Sequence, residues 1–117
     1  IVHSDDGMDE ISPFEKTNVV ELKDNNINEF TIDPKKLGIN SNNINNLKGK
    51  NAVYNSVKII EIYKGIDNEF SQAVALNVAA GLIVSGNEYD FKDAFKKATK
   101  HLNSGKVFQY LTKIQSA

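Results

Sequence analysis

Cysteine is absent from the 117 residues, and its absence excludes several kinds of chemistry. The chain can form neither disulfides nor cysteine-ligated metal sites, and it has no thiolate nucleophile. The net charge of −1 provides no broad positive field that would recruit nucleic acid or an anionic membrane. No apolar run approaches the roughly 20 residues of a membrane-spanning helix. The composition therefore fits one globular domain of cytoplasmic origin, with no nucleic acid and no membrane as partners.

The first residues lack both a methionine and a signal peptide. Ile1-Val2-His3 resembles the end of a strand and leads at once into Ser4 and two aspartates. A secretory leader would instead carry a charged segment followed by a longer apolar core. A strand that begins without a preceding polar segment indicates a piece of a longer protein. A processed chain with a short edge strand is the alternative.

Residues 1–50 are predicted to form strands and loops. Alternating apolar and polar residues predict strands at residues 17–22 and 26–32, joined by a hairpin turn at Lys23-Asp24-Asn25-Asn26. Asp33-Pro34 ends the second strand because proline cannot donate to a ladder. Residues 34–50 are predicted to be irregular after a short helical turn at 34–37. Four apolar side chains are expected to anchor this segment, namely Leu37, Ile39, Ile44 and Leu47.

Residues 51–117 are predicted to form four helices. Helical spacing of apolar residues places these helices at residues 51–64, 69–85, 91–103 and 106–115. Glycines stand at the three junctions, as expected at helix ends. The second helix is apolar on nearly all sides, which predicts that it is buried. A small strand hairpin followed by about four helices is therefore expected.

An acidic segment offers the strongest candidate chemistry. Asp5, Asp6, Asp9 and Glu10 place four carboxylates within six residues, with Gly7 among them. Crowded carboxylates repel one another, and a cation would relieve that repulsion. Magnesium suits such a site because it takes one or two carboxylates and keeps several waters or substrate phosphates. A solvated acidic loop without a ligand is the structural alternative.

Other polar features favour structural interpretations. His101 stands near a predicted helix C-terminus, where a charged imidazole is favourable. His3 lies beside the acidic segment without a partner nearby in sequence. Gly49 between Lys48 and Lys50 could hold a phosphate before a helix, although the spacing of a P-loop is missing. A basic face on the third helix is expected to be solvated surface, and its members are Lys92, Lys96, Lys97 and Lys100.

The segment from Val2 to Pro13 resembles the Asp-Gly-Leu-Asp-Glu motif of anthranilate phosphoribosyltransferases, with Met8 in the leucine position. The resemblance continues in the family's order through residues 17–22, 33–39, 47–55, 74–80 and 104–106. Two positions depart from the family's pattern. Ser4 stands where glycine is common, and Lys50-Asn51 stands where Gly-Asp is frequent.

The resemblance implies that residues 1–117 form the C-terminal portion of a nucleoside phosphorylase/phosphoribosyltransferase-type α/β domain. The implied parent enzyme transfers phosphoribosyl from phosphoribosyl pyrophosphate to anthranilate in tryptophan biosynthesis. Asp9 and Glu10 match the family's magnesium-binding pair, whose ion bridges the pyrophosphate. The family's diphosphate loop, anthranilate-contacting residues and dimerisation domain precede this motif. The chain alone is therefore expected to be inactive, and the parent enzyme is expected to be a homodimer.

Two other functions remain open at this point. A related pyrimidine nucleoside phosphorylase would share the broader fold but would not need the acidic pair. A non-enzymatic α/β interaction module would use the acidic loop only as solvated surface. Loss of magnesium binding on replacing Asp9 and Glu10 would separate the transferase from both.

Overall fold

The computed structural model describes residues 1–117, which divide into two compact units, Ile1–Ile44 and Asn45–Ala117. The first unit contains the three strands β1 Val2–Ser4, β2 Thr17–Lys23 and β3 Asn26–Ile32. They form one antiparallel sheet in the order β1-β2-β3. The predicted strands are confirmed, and Val2 and His3 lie in a short edge strand, β1.

The predicted turn between β2 and β3 is confirmed, and its two central residues are Asp24 and Asn25. Asp24 and Asn25 have positive φ angles of 50° and 60°, as a type I′ turn requires. This turn sets Lys23 opposite Asn26 and carries the register back to Thr17 opposite Ile32. Because side chains alternate along a strand, the register determines which residues share a face of the sheet.

One end of the sheet is buried and the other is exposed. Ser4, Thr17 and Ile32 lie side by side in the register of β1, β2 and β3, and all three are buried. At the hairpin end, the side chains of Leu22 and Ile27 are 73% and 69% exposed. The buried end is therefore where the strands hold the loop that follows β1.

The segment after β3 contains two short 3-10 helices, Pro34–Leu37 and Ile44–Leu47. The first was predicted, and the Asp33 carboxylate caps it by accepting a hydrogen bond from the Lys35 amide at 3.0 Å. Ile39 is buried as expected, but Ile44 is 41% exposed. The prediction that Ile44 anchors the segment is wrong, because the short helix it begins buries none of its residues.

The second unit contains the four predicted helices, α1 Ala52–Tyr63, α2 Glu69–Val84, α3 Phe91–Asn103 and α4 Lys106–Gln115. Asparagine and aspartate side chains begin the first three helices by accepting backbone N–H bonds: Asn51 for α1, Asn68 for α2 and Asp90 for α3. The predicted bounds of α3 and α4 match, and those of α1 and α2 differ only at their caps. None of these helices combines the length and the apolar character that a membrane-spanning segment needs.

Helix α2 is buried on one face only, which corrects the expectation of complete burial. Ala75, Leu76 and Ala79 are at most 2% exposed, and α3 contributes Ala94 and Ala98 to the same core. Such small side chains let two helices approach closely. The opposite face stays open, with Val74, Val78 and Val84 exposed by 38%, 46% and 87%. An all-apolar sequence therefore cannot by itself tell which face of a helix meets its neighbours.

Candidate metal-binding loop

The acidic loop, residues Asp5 to Glu10, begins with a tight turn directly after β1. The Gly7 amide donates to the Ser4 carbonyl at 2.9 Å, and the Ser4 amide donates to the Met8 carbonyl at 3.1 Å. Gly7 has a φ of +88°, and a side chain placed there would meet no atom within 4 Å. Glycine is therefore required by the backbone angle of the turn and not by crowding.

The Asp6 carboxylate stabilises the loop by accepting two hydrogen bonds. Its Oδ2 atom accepts a hydrogen bond from the Ser12 hydroxyl at 2.5 Å, and its Oδ1 atom accepts one from the Met8 amide at 3.1 Å. Partial burial would raise the pKa of Asp6, but these hydrogen bonds outweigh it and lower the pKa below its ordinary value of 3.8. The hydrogen bonds of the loop therefore favour the ionised form of Asp6.

Ser12 links the loop to the interior of the first unit. Its side chain donates to Asp6 and also accepts a hydrogen bond from the Phe14 amide at 3.0 Å. Its amide donates to the Thr17 hydroxyl at 3.2 Å. Ile11, Ser12 and Phe14 are all buried. The residues immediately after the acidic loop thus form a fixed base, and Ser12 is the central contact in it.

Asp5 is also engaged within the chain. Its Oδ1 atom accepts a hydrogen bond from the Asn18 side-chain amide at 3.0 Å, and its backbone amide donates to the Lys16 carbonyl at 2.8 Å. These bonds tie the start of the loop to β2. Two of the four carboxylates therefore have structural partners in the chain.

Asp9 and Glu10 lie at the open end of the loop. Both residues are exposed, and both lie in irregular backbone outside any strand. Because neither residue lies in a strand, the alternation that sends neighbouring side chains to opposite faces of a sheet does not apply to them. Across residues 1–117, no group of three or more histidine or carboxylate side chains gathers in a way that could hold a metal ion. Asp9 and Glu10 are therefore a pair of exposed carboxylates and not part of a larger cluster.

The stability of this loop is expected to depend on the charge of Asp6. Because its pKa is lower in the folded chain, the ionised form stabilises the fold above the ordinary pKa of 3.8. That contribution is lost as the pH falls below this value, through the lower pKa of the folded state. Asp6→Asn should cost about 1 kcal/mol near neutral pH, and the difference from the unchanged chain should shrink on acidification.

Urea unfolding at a series of pH values measures this effect. Asp24→Asn is the matched control, because it removes one carboxylate from an exposed turn that asparagine also suits. A loss of stability that is the same at every pH would contradict a role for the charge of Asp6.

A family model described as the glycosyl transferase family, a/b domain, matches residues 1–108. The chain belongs to this family. Within the family, it is 53% identical over 116 residues to the anthranilate phosphoribosyltransferase of Pelagibacter ubique, which covers 99% of this chain and 35% of that protein. It is 34% identical over 116 residues to the enzyme of Clostridium beijerinckii, with 99% and 34% covered.

A solved structure supports the same relationship. The crystal structure of the anthranilate phosphoribosyltransferase of Thermus thermophilus matches with a TM-score of 0.85 and 26% identity, covering 96% of this chain and 33% of that one. The predicted fold class and family resemblance are confirmed. The two alternatives, a nucleoside phosphorylase and a non-enzymatic module, are not favoured by these matches. The chain spans about a third of the length of the relatives it matches.

Ser4, where the resemblance to anthranilate phosphoribosyltransferases led us to expect a glycine, is accommodated without strain. Ser4 is fully buried in β1, its φ is not positive, and its hydroxyl donates to the Lys16 carbonyl at 3.2 Å. The serine therefore adds one more bond between β1 and the segment before β2. This departure from the pattern leaves the loop that follows it intact.

Both histidines and the basic face of α3 have surroundings that fit structural roles. His3 is exposed on β1 opposite Asn18, whose amide is already bonded to Asp5. His101 is exposed in the last turn of α3. The basic face of α3 is exposed, and two of its lysines pair with acids: Lys96 with Asp93 at 3.4 Å and Lys97 with Glu88 at 2.6 Å. These contacts favour a solvated helix surface.

Sequence reasoning missed Ser12. A signal was present, because serine before proline commonly accepts amide bonds from the residues two and three positions later. The Phe14 and Glu15 amides both point to the Ser12 hydroxyl, at 3.0 and 3.4 Å. What the sequence could not show is that the same hydroxyl also donates to Asp6.

Proposed function

We propose that this chain is the C-terminal part of an anthranilate phosphoribosyltransferase and contributes the magnesium-binding loop of that enzyme. The reaction transfers the phosphoribosyl group of phosphoribosyl pyrophosphate to the amine of anthranilate, a step of tryptophan biosynthesis. The observation that carries the proposal is that the four carboxylates of the acidic loop differ in their surroundings. Asp5 and Asp6 are bonded within the chain, whereas Asp9 and Glu10 remain exposed.

The donor set of the loop fits magnesium. This ion dehydrates reluctantly and is usually bound by one or two carboxylates together with waters and substrate phosphates. Asp9 and Glu10 supply two carboxylates, and the chain holds no larger cluster that would enclose an ion completely. When bound, the ion would supply positive charge that stabilises the departing pyrophosphate.

The chain's own residues would position the ion and would not attack the substrate. Asp9 and Glu10 would hold it, and the bonds of Ser12 and Met8 to Asp6 would fix the backbone that presents them. A preorganised pair of carboxylates does not have to be rearranged when the transferring group develops charge. We assign no residue of the chain to nucleophilic or acid–base chemistry.

The names of the relatives support the choice of substrates. The curated relatives are called anthranilate phosphoribosyltransferases, and a Saccharomyces cerevisiae enzyme of that name was solved in complex with 4-fluoroanthranilate. Phosphoribosyl pyrophosphate and anthranilate are therefore the proposed partners of the full-length enzyme. We also propose that the full-length enzyme is a cytoplasmic homodimer, joined through a domain outside these residues.

The proposal predicts that the 117-residue chain is inactive but completes an enzyme. Purified alone, the chain should not consume anthranilate in the presence of phosphoribosyl pyrophosphate and magnesium. Joined to the other two thirds of the Pelagibacter ubique enzyme, in place of its matching third, the chain should restore transfer. Loss of anthranilate fluorescence measures the transfer activity of the isolated chain and of the chimera. Transfer by the isolated chain, or a folded chimera that binds both substrates without reacting, would contradict the proposal.

A further inference from the structure

A polar cleft of about 510 Å³ lies within the second unit, around the beginnings of α1 and α2. Its lining includes three lysines and an aromatic ring, namely Lys48, Lys50, Lys58 and Tyr54. Glu69 is its only carboxylate. The lining is thus richer in positive than in negative charge, although the chain as a whole has a net charge of −1.

The turn that carries two of these lysines is held in a defined position. The Lys48 amide donates to the Asn45 carbonyl at 3.1 Å, and the Lys50 amide donates to Asn55 Oδ1 at 2.9 Å. Between them, a Cβ atom on Gly49 would lie only 3.0 Å from the same Asn55 oxygen. Asn55, which lies in α1, therefore holds the turn against that helix through a hydrogen bond and a close contact. The backbone of both lysines is thus fixed before any ligand binds.

The charges in the cleft are only partly neutralised within the chain. Lys58 Nζ pairs with Glu61 at 2.7 Å, and Glu69 accepts a hydrogen bond from the Asn46 amide at 2.7 Å. Lys48 and Lys50 take part in none of the ion pairs of residues 1–117. The Lys50 ammonium instead lies 4.8 Å from the centre of the Tyr54 ring, a distance at which a cation is attracted to the face of an aromatic ring.

We propose that this cleft binds a phosphate-bearing anion through the ammonium groups of Lys48 and Lys50. Lysine binds phosphate as a point charge, and the positive ends of the α1 and α2 dipoles add to the same field. Tyr54 and Phe70 also line the cleft, so an organic phosphate with a flat ring could contact an aromatic face there. The site uses no residue of the acidic loop and requires no metal ion.

Lysine footprinting of the full-length enzyme tests this proposal site by site. An amine-reactive acylating reagent is applied with increasing pyrophosphate or adenosine monophosphate at constant ionic strength, with EDTA present to remove divalent metals. Either ligand should lower the acylation rates of Lys48 and Lys50 in a saturable manner. The rates of the exposed α3 residues Lys92 and Lys100 should not change, and they serve as internal controls. Stronger protection by the nucleotide would identify an organic phosphate, and equal protection a bare phosphate group.

Two substitutions in opposite directions extend the test. Lys50→Gln should raise the ligand concentration that half-protects Lys48 by about tenfold. Glu69→Gln removes the only carboxylate of the lining and should lower that concentration several-fold, a gain that damage to the fold cannot produce. Protection that is absent, or equal at Lys92 and Lys100, would overturn the proposal. Because EDTA is present throughout, that outcome would leave the magnesium role of Asp9 and Glu10 unaffected.

Discussion

Replacing Asp9 by Asn and Glu10 by Gln in the full-length enzyme should lower kcat/KM for phosphoribosyl pyrophosphate by about 100-fold or more. The two substitutions keep the size of the side chains but remove both charges that we propose to bind the metal. Because both residues are exposed, the change in folding stability should stay within about 0.5 kcal/mol. Steady-state rates at saturating anthranilate and several magnesium concentrations measure the effect.

A matched control separates this effect from a general change of charge. Asp24→Asn together with Glu29→Gln removes the same two negative charges from the exposed β2–β3 hairpin. This control should retain nearly the full rate. Equal losses in the two double variants would show that Asp9 and Glu10 have no specific role.

Gly65→Ala should destabilise the second unit by about 3 kcal/mol or more, the largest stability effect expected of any glycine substitution in the chain. Gly65 follows α1 with a φ of +95°, and a Cβ atom there would lie 2.6 Å from the backbone oxygen of Asn103. Asn103 is the last residue of α3, so its carbonyl cannot move without shifting the end of that helix. Urea unfolding of the two chains measures the difference.

Gly86→Ala supplies the control for this substitution. Gly86 follows α2 with a φ of +73°, but a Cβ atom there would meet nothing within 4 Å. The backbone conformation alone should then cost about 1–2 kcal/mol. If both variants lose the same stability, the close approach of Asn103 to Gly65 does not contribute.

Local signals in the sequence were sufficient for most elements of the fold. Asp90 begins α3 because its side chain accepts a hydrogen bond from the Asp93 amide in the first turn. Gly105 follows the end of α3, and its amide donates to the Leu102 carbonyl in the last turn. The Asp24-Asn25 turn follows equally from two residues that tolerate positive φ angles. Such features depend on neighbours in sequence, and a single sequence therefore reveals them.

Features that depend on distant contacts could not be predicted in the same way. The apolar pattern of α2 gave no indication that Val74 and Val78 would remain exposed while Ala75 and Ala79 became buried. The acidic loop shows the same limit. Its four carboxylates were visible at once, but their separate roles follow from bonds to Ser12 and Asn18, 6 and 13 residues away. Only the family resemblance singled out Asp9 and Glu10 in advance.

The most direct test of the central claim is a manganese titration of the full-length enzyme in the presence of phosphoribosyl pyrophosphate. Manganese replaces magnesium at oxygen ligands and is detected by electron paramagnetic resonance. The account predicts that Asp9→Asn with Glu10→Gln raises the half-saturating manganese concentration by about tenfold or more, whereas Asp24→Asn with Glu29→Gln leaves it unchanged. Undiminished manganese binding in the Asp9 and Glu10 variant would contradict the assignment of this loop as a metal site.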